Sequence, residues 1–268
     1  MAIPLRFDAG ASAYDRFMGR WSRLYIPAVL AAARIGIGQR VLDVATGTGE
    51  AALIAASLVG PSGRVLGVDL SLPMLGAAKA KAAGDPVWLV AMNGQALALK
   101  DQTFDAVVCQ LGLMFFPDVV RGLEEFRRVL RPGGRVAVCV WSRRERAPLI
   151  GLLAEALGRQ VPAQQDDLNL GFSLGDPRVL EQELTRAGFH DVSVCSETRE
   201  CVFESFDDYW APVEAGGGRL GQIYQGLKEE ARRAVVEEVR SRLSAFESGG
   251  KLVVKCEALF GIGSAPMP

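Results

Sequence analysis

The sequence contains a single histidine, His190, in 268 residues. That excludes any site built on two or more imidazoles, and a Ser-His-Asp arrangement survives only if His190 is its base. The five cysteines, Cys109, Cys139, Cys195, Cys201 and Cys256, are an odd number without metal-ligand spacing, and no metal site is expected. Cys195 and Cys201 on one strand would stand roughly 20 Å apart, beyond the about 7 Å that a disulfide spans. The expectation is therefore buried free thiols in a reducing cytoplasm. Charge of one sign is also lacking: 30 Lys and Arg balance 31 Asp and Glu, for a net charge of −1. No basic excess exists to neutralise a phosphate backbone, which argues against a nucleic-acid-binding module. No apolar run reaches the about 18–20 residues of a membrane span, and the first residues lack a leader pattern. Internal repeats and low-complexity tracts are absent.

What is present is an ordinary globular balance, 49% apolar and 23% charged, with enough length for one large domain to bury its core. Apolar, β-branched runs at residues 40–45, 64–69, 87–92, 104–110 and 135–141 alternate with helical patterns at 50–59, 71–83 and 119–130. Near-continuous apolar strands separated by helices predict a parallel sheet covered on both faces. Further helices are expected at 147–160 and 176–187, the latter with Asp176 as N-cap and Gly188 past its end. Residues 161–173 read as loop, and 192–202 and 251–260 as strands. Between these two lies an insertion with one long helix over 219–246. Its apolar stripe is Leu220, Ile223, Leu227, Ala231, Val235, Val239 and Leu243. An aromatic-rich helical segment at 11–33, broken near Gly19 and Pro27, reads either as a helix on the sheet or as a lid over a site.

The sharpest local signal is Val41-Leu42-Asp43-Val44-Ala45-Thr46-Gly47-Thr48-Gly49-Glu50. A strand runs into a Gly-rich turn that opens a helix, and Gly47 and Gly49 let a ligand approach the backbone. Asp69 ends the next strand, 22 residues after Gly47, where an acid accepts hydrogen bonds from ribose hydroxyls. Gly47-Thr-Gly49-Glu-Ala-Ala52 formally passes as a dinucleotide loop, so NAD(P) has to be weighed. Asp43 argues against it, because a strand acid tolerates a cationic or zwitterionic ligand far better than a pyrophosphate.

VLDVATGTGE, GVDLSLPML, NGQALALKDQTFDAVVCQ and VLRPGGRVAV resemble class I S-adenosylmethionine-dependent methyltransferases, most closely the ubiquinone/menaquinone-methyltransferase-like group. The resemblance covers residues 14–142; the remainder matches only in general layout. It implies a Rossmann-like seven-stranded α/β sheet with the last strand antiparallel and helices on both faces. It also implies an N-terminal helical lid and a helical insertion between the last two strands. The expected organisation is a single methyltransferase domain, 1–268, with a lid at 1–36 and a cofactor-binding core at 37–142. A C-terminal part at 143–268 carries the insertion at about 204–250.

The same resemblance implies S-adenosyl-L-methionine as cofactor. Ala45, Thr46, Gly47 and Gly49 would wrap its methionine end, with Asp43 near the amino group through water. Asp69 would bind the ribose, Leu70 and Met74 would pack on the adenine, Asn93 and Gly94 would meet its edge, and Gln110 would lie beside the methionine. Two positions depart from the pattern: Ala45-Thr46 replaces a Gly-Cys or Gly-Gly pair, and Asn93 replaces an Asp. A small residue at 45 still admits the backbone, and an amide oxygen still accepts from an amine.

Loops after the strands supply the acceptor pocket candidates. They are Tyr14, Phe17, Met18, Trp21, Leu113, Met114, Phe115, Phe116, Trp141, Phe172, Tyr209 and Trp210. Tyr14 is the candidate acid/base hydroxyl, His190 a weaker one, and Arg20 a candidate anion contact. Such a pocket fits a small, largely apolar or aromatic acceptor, quinone-like, phenolic or a secondary metabolite. Two alternatives stay open: a non-catalytic protein that binds the cofactor, and an NAD(P)-dependent oxidoreductase. The inserted helix would cap the pocket or form a homodimer contact.

Overall fold

The computed structural model describes residues 14–82 and 84–267. Residues 1–13, counted above into the lid, and Ala83, the expected end of the 71–83 helix, lie outside them.

The first five strands are β1 (Arg40–Val44), β2 (Arg64–Asp69), β3 (Val87–Ala91), β4 (Phe104–Gln110) and β5 (Leu130–Trp141). They are joined in parallel in the order β3-β2-β1-β4-β5. Three more follow: β6 (His190–Phe203), the two-residue β7 (Glu247–Ser248) and β8 (Lys251–Ser264). β8 inserts antiparallel between β5 and β6, and β7 folds back onto β8. The expected sheet is thus present with its last strand antiparallel. Its count is eight rather than seven, because Gly249 and Gly250, both at positive φ, allow a tight hairpin before β8.

Chain order reverses between β1 and β4, which leaves a crevice at the carboxyl ends of the strands. The helices along the parallel half are α1 (Ile26–Ala32), α2 (Glu50–Val59), α3 (Leu72–Lys81) and α4 (Val119–Val129). Their starts are locally specified. Ser71 accepts from the Met74 N–H and Asp118 from the Arg121 N–H, and Pro27 occupies the first turn of α1. Pro132-Gly133-Gly134 does stop α4, but the chain continues as strand. β5 begins at Leu130 and absorbs the irregularity as a register shift opposite Phe104/Ala106.

After Trp141 come α5 (Pro148–Gln160), α6 (Pro177–Arg186), α7 (Phe206–Glu214), α8 (Gly218–Gln225) and α9 (Glu229–Leu243). Asp176 caps α6 through the Arg178 N–H as expected. The expected loop at 161–173 is instead a chain of short helical turns. The expected single helix at 219–246 is two helices, α8 and α9, broken at Gly226, Leu227 and Lys228. The apolar stripe is consequently split. Val235, Val239 and Leu243 of α9 are buried while Leu220 and Ile223 of α8 are only half-buried.

The N-terminal segment is helical with a change of winding. A π-helical turn at Asp15–Gly19 leads through tighter turns into α1. Its aromatics join a stack across the sheet: Phe17 on Trp21, Trp21 on Trp141 at 4.8 Å between ring centroids, and Tyr25 edge-on to Trp141. The Tyr25 hydroxyl donates to the Cys256 carbonyl of β8 at 2.6 Å. All five cysteines are free. Four are buried, but Cys195 is exposed on edge strand β6, a correction to the expectation of buried thiols throughout.

Candidate active site

The carboxyl ends of β1 to β4 open into a cavity of about 510 Å3, within the size range of small-molecule sites. Two non-glycine residues at its floor are left-handed, Ala45 at φ 57° and Leu111 at φ 55°. Such conformations cost about 1–3 kcal/mol each and collect at functional turns. The two turns are pressed together. A Cβ on Gly112 would lie 2.4 Å from that of Ala45, so only glycine fits between β1 and β4 here.

The Gly-rich turn is held from below and from the side. The Thr46 hydroxyl donates to Asp43 Oδ2 at 2.6 Å, and the Gly47 N–H donates to Asp69 Oδ2 at 2.8 Å. Asp69 Oδ1 accepts from the Ser71 N–H at 2.9 Å, so one carboxylate ties the turn to the start of α3. Ala45, Gly47 and Asp69 line the cavity. A Cβ built on Gly47 would touch nothing within 4 Å, so this part of the wall is an open cradle.

Thr46 and Gly49 are not part of that wall. Thr46 packs against Gly67 and Asp43 inside the fold, and Gly49, at φ 84°, lets α2 start against Ala78 of α3. Asp43 is likewise behind the turn, completely buried, with Oδ1 unpartnered. Burial pushes its carboxyl up to about 7; the Asp69 charge adds to this and the Thr46 hydrogen bond opposes it.

Leu70, Met74, Asn93, Gly94 and Gln110 all line the cavity. Leu70 does so while 72% exposed, an apolar face awaiting cover. Asn93 Oδ1 already accepts from the Gln95 N–H at 2.9 Å, leaving its second lone pair for any ligand. Gly94 is required by packing, since a Cβ there would come within 2.6 Å of Phe116. The Gln110 amide donates to the Ser22 carbonyl at 3.1 Å, while its Oε1 is buried without a donor.

Of the acceptor-pocket candidates, Tyr14, Phe17, Met18, Met114, Phe115, Phe116, Trp141 and Phe172 line the cavity. Trp21, Leu113, Tyr209 and Trp210 do not. They are buried behind it, Tyr209 with its hydroxyl donating to the Leu149 carbonyl at 2.6 Å. Their aromatic and apolar surface went to core packing, which the sequence could not distinguish from pocket lining. The Tyr14 phenol is pushed up to about 12 by burial, with the Asp69 and Asp15 charges adding to the effect. The phenol is therefore a neutral hydroxyl at physiological pH. Arg20 forms a bidentate pair with Asp208, at 2.7 and 3.0 Å, and His190 is exposed at the start of β6; neither lines the cavity.

Beyond Phe172, the sequence reading missed the tail's contribution. Asp167, Leu168 and Gly171 from the short helical turns, and Gly218, Arg219 and Leu220 from the start of α8, complete the wall. Nothing local marks these residues, because their position depends on how α5 and the insertion pack. The N-terminal segment roofs the same space and is fastened to the Gly-rich turn. Asp15 accepts from the Thr48 hydroxyl at 2.6 Å and pairs with Lys81 at 2.6 Å, which also pairs with Glu50 at 2.7 Å.

A seven-strand path of parallel and antiparallel strands, a strand-end Gly turn and an acid on the neighbouring strand match the architecture that the sequence resemblance implies. Among solved structures, phosphoethanolamine N-methyltransferase 2 from Haemonchus contortus, in complex with phosphomonomethylethanolamine and S-adenosylhomocysteine, shares the fold. Its TM-score is 0.62 at 20% identity, covering 97% of this chain and 58% of that one. Residues 42–138 match the family described as methyltransferase domain. A demethylmenaquinone methyltransferase from Lactiplantibacillus plantarum is 36% identical over 152 residues, 54% of this chain and 64% of the relative. The ubiquinone/menaquinone biosynthesis C-methyltransferase UbiE from Geobacter sulfurreducens is 38% identical over 127 residues, 46% of this chain and 48% of the relative. The chain spans about half the length of the curated relatives it matches. Residues 42–138 are thus similar to methyltransferase domains, and the chain is similar in sequence to demethylmenaquinone and ubiquinone/menaquinone methyltransferases.

Proposed function

We propose that this protein transfers a methyl group from S-adenosyl-L-methionine to a small, largely apolar or aromatic acceptor. The observation that carries this reading is one cavity with two chemically distinct ends. A Gly-rich turn and a strand-end carboxylate form one end, and a Met- and aromatic-rich wall the other. The residues present fit the cofactor. The open cradle at Gly47 admits the methionine end, beside the orphaned Gln110 Oε1, an acceptor for an ammonium group. Asp69 lines the cavity where a carboxylate can accept from ribose hydroxyls. Leu70 and Met74 offer an apolar face to the adenine, and Asn93 and Gly94 its edge contacts. Asp43, when ionised, acts through the turn as a buried negative charge favouring a cationic ligand.

The cofactor supplies a methyl group already activated on a sulfonium. The chain's task is then alignment and exclusion of water, for which about 7–11 kcal/mol is available in favourable cases. Tyr14, Phe17 and Met18 roof the cavity, and the N-terminal segment and the insertion act as its lid, within one methyltransferase domain. The absence of His, Lys and Cys from the described lining fits an acceptor that needs no strong base. Free thiols fit a cytoplasmic protein, and among the described residues no helix is long and apolar enough to cross a membrane.

Calorimetric titration with S-adenosylmethionine, S-adenosylhomocysteine and NAD(P)H tests the reading. Micromolar binding of the first two, followed by a gain of about 14 daltons on an acceptor panel (a CH3 in place of an H), is expected. Binding without any mass gain supports a non-catalytic binding protein, and binding of NAD(P)H alone an oxidoreductase.

A further inference from the structure

Apart from the Tyr14 hydroxyl, the acceptor end of the cavity is apolar except at one place. Asp167, in the short helical turn Gln165–Asn169, and Arg219, at the start of α8, both line the wall and form an ion pair at 2.6 Å. The pair is largely withdrawn from solvent, with side-chain exposures of 30% and 15%. Arg219 Nε is buried without an acceptor, so the guanidinium holds more donor capacity than Asp167 uses. Gly218, next to Arg219, lies under the roof, where an added Cβ would stand 3.7 Å from Met18 and 4.0 Å from Tyr14. The two charges therefore sit where the tail meets the N-terminal segment, against the acceptor side of the cavity.

We propose that Asp167 and Arg219 are the specificity-determining residues of the acceptor pocket and select an acceptor bearing a hydroxyl on an apolar or aromatic frame, a phenol or an enol. This rests on the methyltransferase reading above. The chemistry follows from the pairing. An anionic acceptor group would meet the Asp167 charge, and a cationic one the Arg219 charge. A neutral hydroxyl satisfies both partners, because its O–H donates to the carboxylate and its oxygen accepts from the guanidinium. In an otherwise apolar pocket, an analogue that lacks the hydroxyl leaves the pair without that partner, the kind of mismatch that discriminates strongly. Asp167 and Arg219 act here by binding; no proton transfer is assigned to them.

The test uses the full chain saturated with S-adenosylhomocysteine and three probes, 1-naphthol, 1-methoxynaphthalene and 1-naphthoate, with binding read by naphthalene fluorescence. Wild type is expected to bind the naphthol at least about tenfold more tightly than the ether or the carboxylate. Asp167→Asn and Arg219→Gln should bring the naphthol-to-ether ratio close to one, and Arg219→Lys should restore part of it. S-adenosylhomocysteine affinity should stay at the wild-type value in all three variants. A ratio near one in wild type, preference for the naphthoate, or no naphthol binding overturns the proposal. So does a ratio unchanged in both variants alongside a lowered Tm, which would mark the pair as structural. Failure of wild type to bind S-adenosylhomocysteine defeats the methyltransferase reading instead, and the probe ratio measured without it still decides on the pair.

Discussion

The parallel half of the sheet and the segment after Trp141 solve opposite problems. In β1 to β4, the turns after the strands hold one another: Gly47 is bonded to Asp69 and Gly112 presses on Ala45, while Asn93 is tied to Gln95 within its own turn. The tail contributes to the same cavity through packed helices instead. Arg219 of α8 meets Asp167 of a short helical turn, and Tyr25 of the N-terminal segment is bonded to β8. A cavity end made of strand-end turns and one made of packed helices can change independently. One cofactor site can thus serve many acceptors.

Substitutions can break this contrast. The largest effect is expected at Trp21, buried between Phe17 and Trp141 but not lining the cavity. Trp21→Ala should cost about 3–5 kcal/mol in urea unfolding. Asp69→Ala removes the acceptor of two backbone N–H groups and the proposed ribose contact. It should weaken cofactor binding by about 30-fold or more in calorimetry, corresponding to about 2–3 kcal/mol. Gly94→Ala forces a Cβ against Phe116 and should cost about 1–3 kcal/mol of stability through overpacking, an effect that the more loosely held tail glycine Gly171 should not share.

Asp43 gives a pH signature. Its folded pKa of about 7 lies above the unfolded value of 3.8, so the folded state binds the extra proton between them. Stability from this group is therefore greatest below pH 4 and declines as pH rises through 7. Asp43→Asn should flatten that part of the stability curve. Affinity for a cationic cofactor has the opposite slope and should fall as pH drops below about 7 in wild type but not in the variant. The smallest effect belongs to the contact between the N-terminal segment and the tail. Arg20→Ala breaks a partly exposed ion pair with Asp208 and should change stability by no more than about 1 kcal/mol.

The sequence was most legible where structure is local. The runs at 64–69 and 104–110 and the helix at 50–59 coincide with β2, β4 and α2 residue for residue. Buried strands bounded by Gly turns and capped helices carry their own limits. The Asp69 position followed from that frame and Leu70 from the resemblance, and both lie at the cavity. Aromatics were harder. Trp21, Trp141 and Tyr209 share composition, but only Trp141 reaches the wall, since Trp21 and Tyr209 are consumed by stacking. The apolar period of 219–246 runs through a real break at Gly226, because periodicity reports a buried face and not the continuity of the helix that bears it. Nothing in the sequence pairs Asp167 with Arg219, and only the packed tail makes them neighbours.

The fastening of Asp15 to Thr48 and Lys81 has a kinetic side. The roof of the cavity is bolted to the very turn that forms its floor, so ligand exchange at either end requires the same ionic cluster to let go. Charges that are a quarter exposed are weakened by added salt. The dwell time of whatever the cavity holds should therefore shorten as ionic strength rises, with a stopped-flow release rate that climbs while the turn itself stays folded.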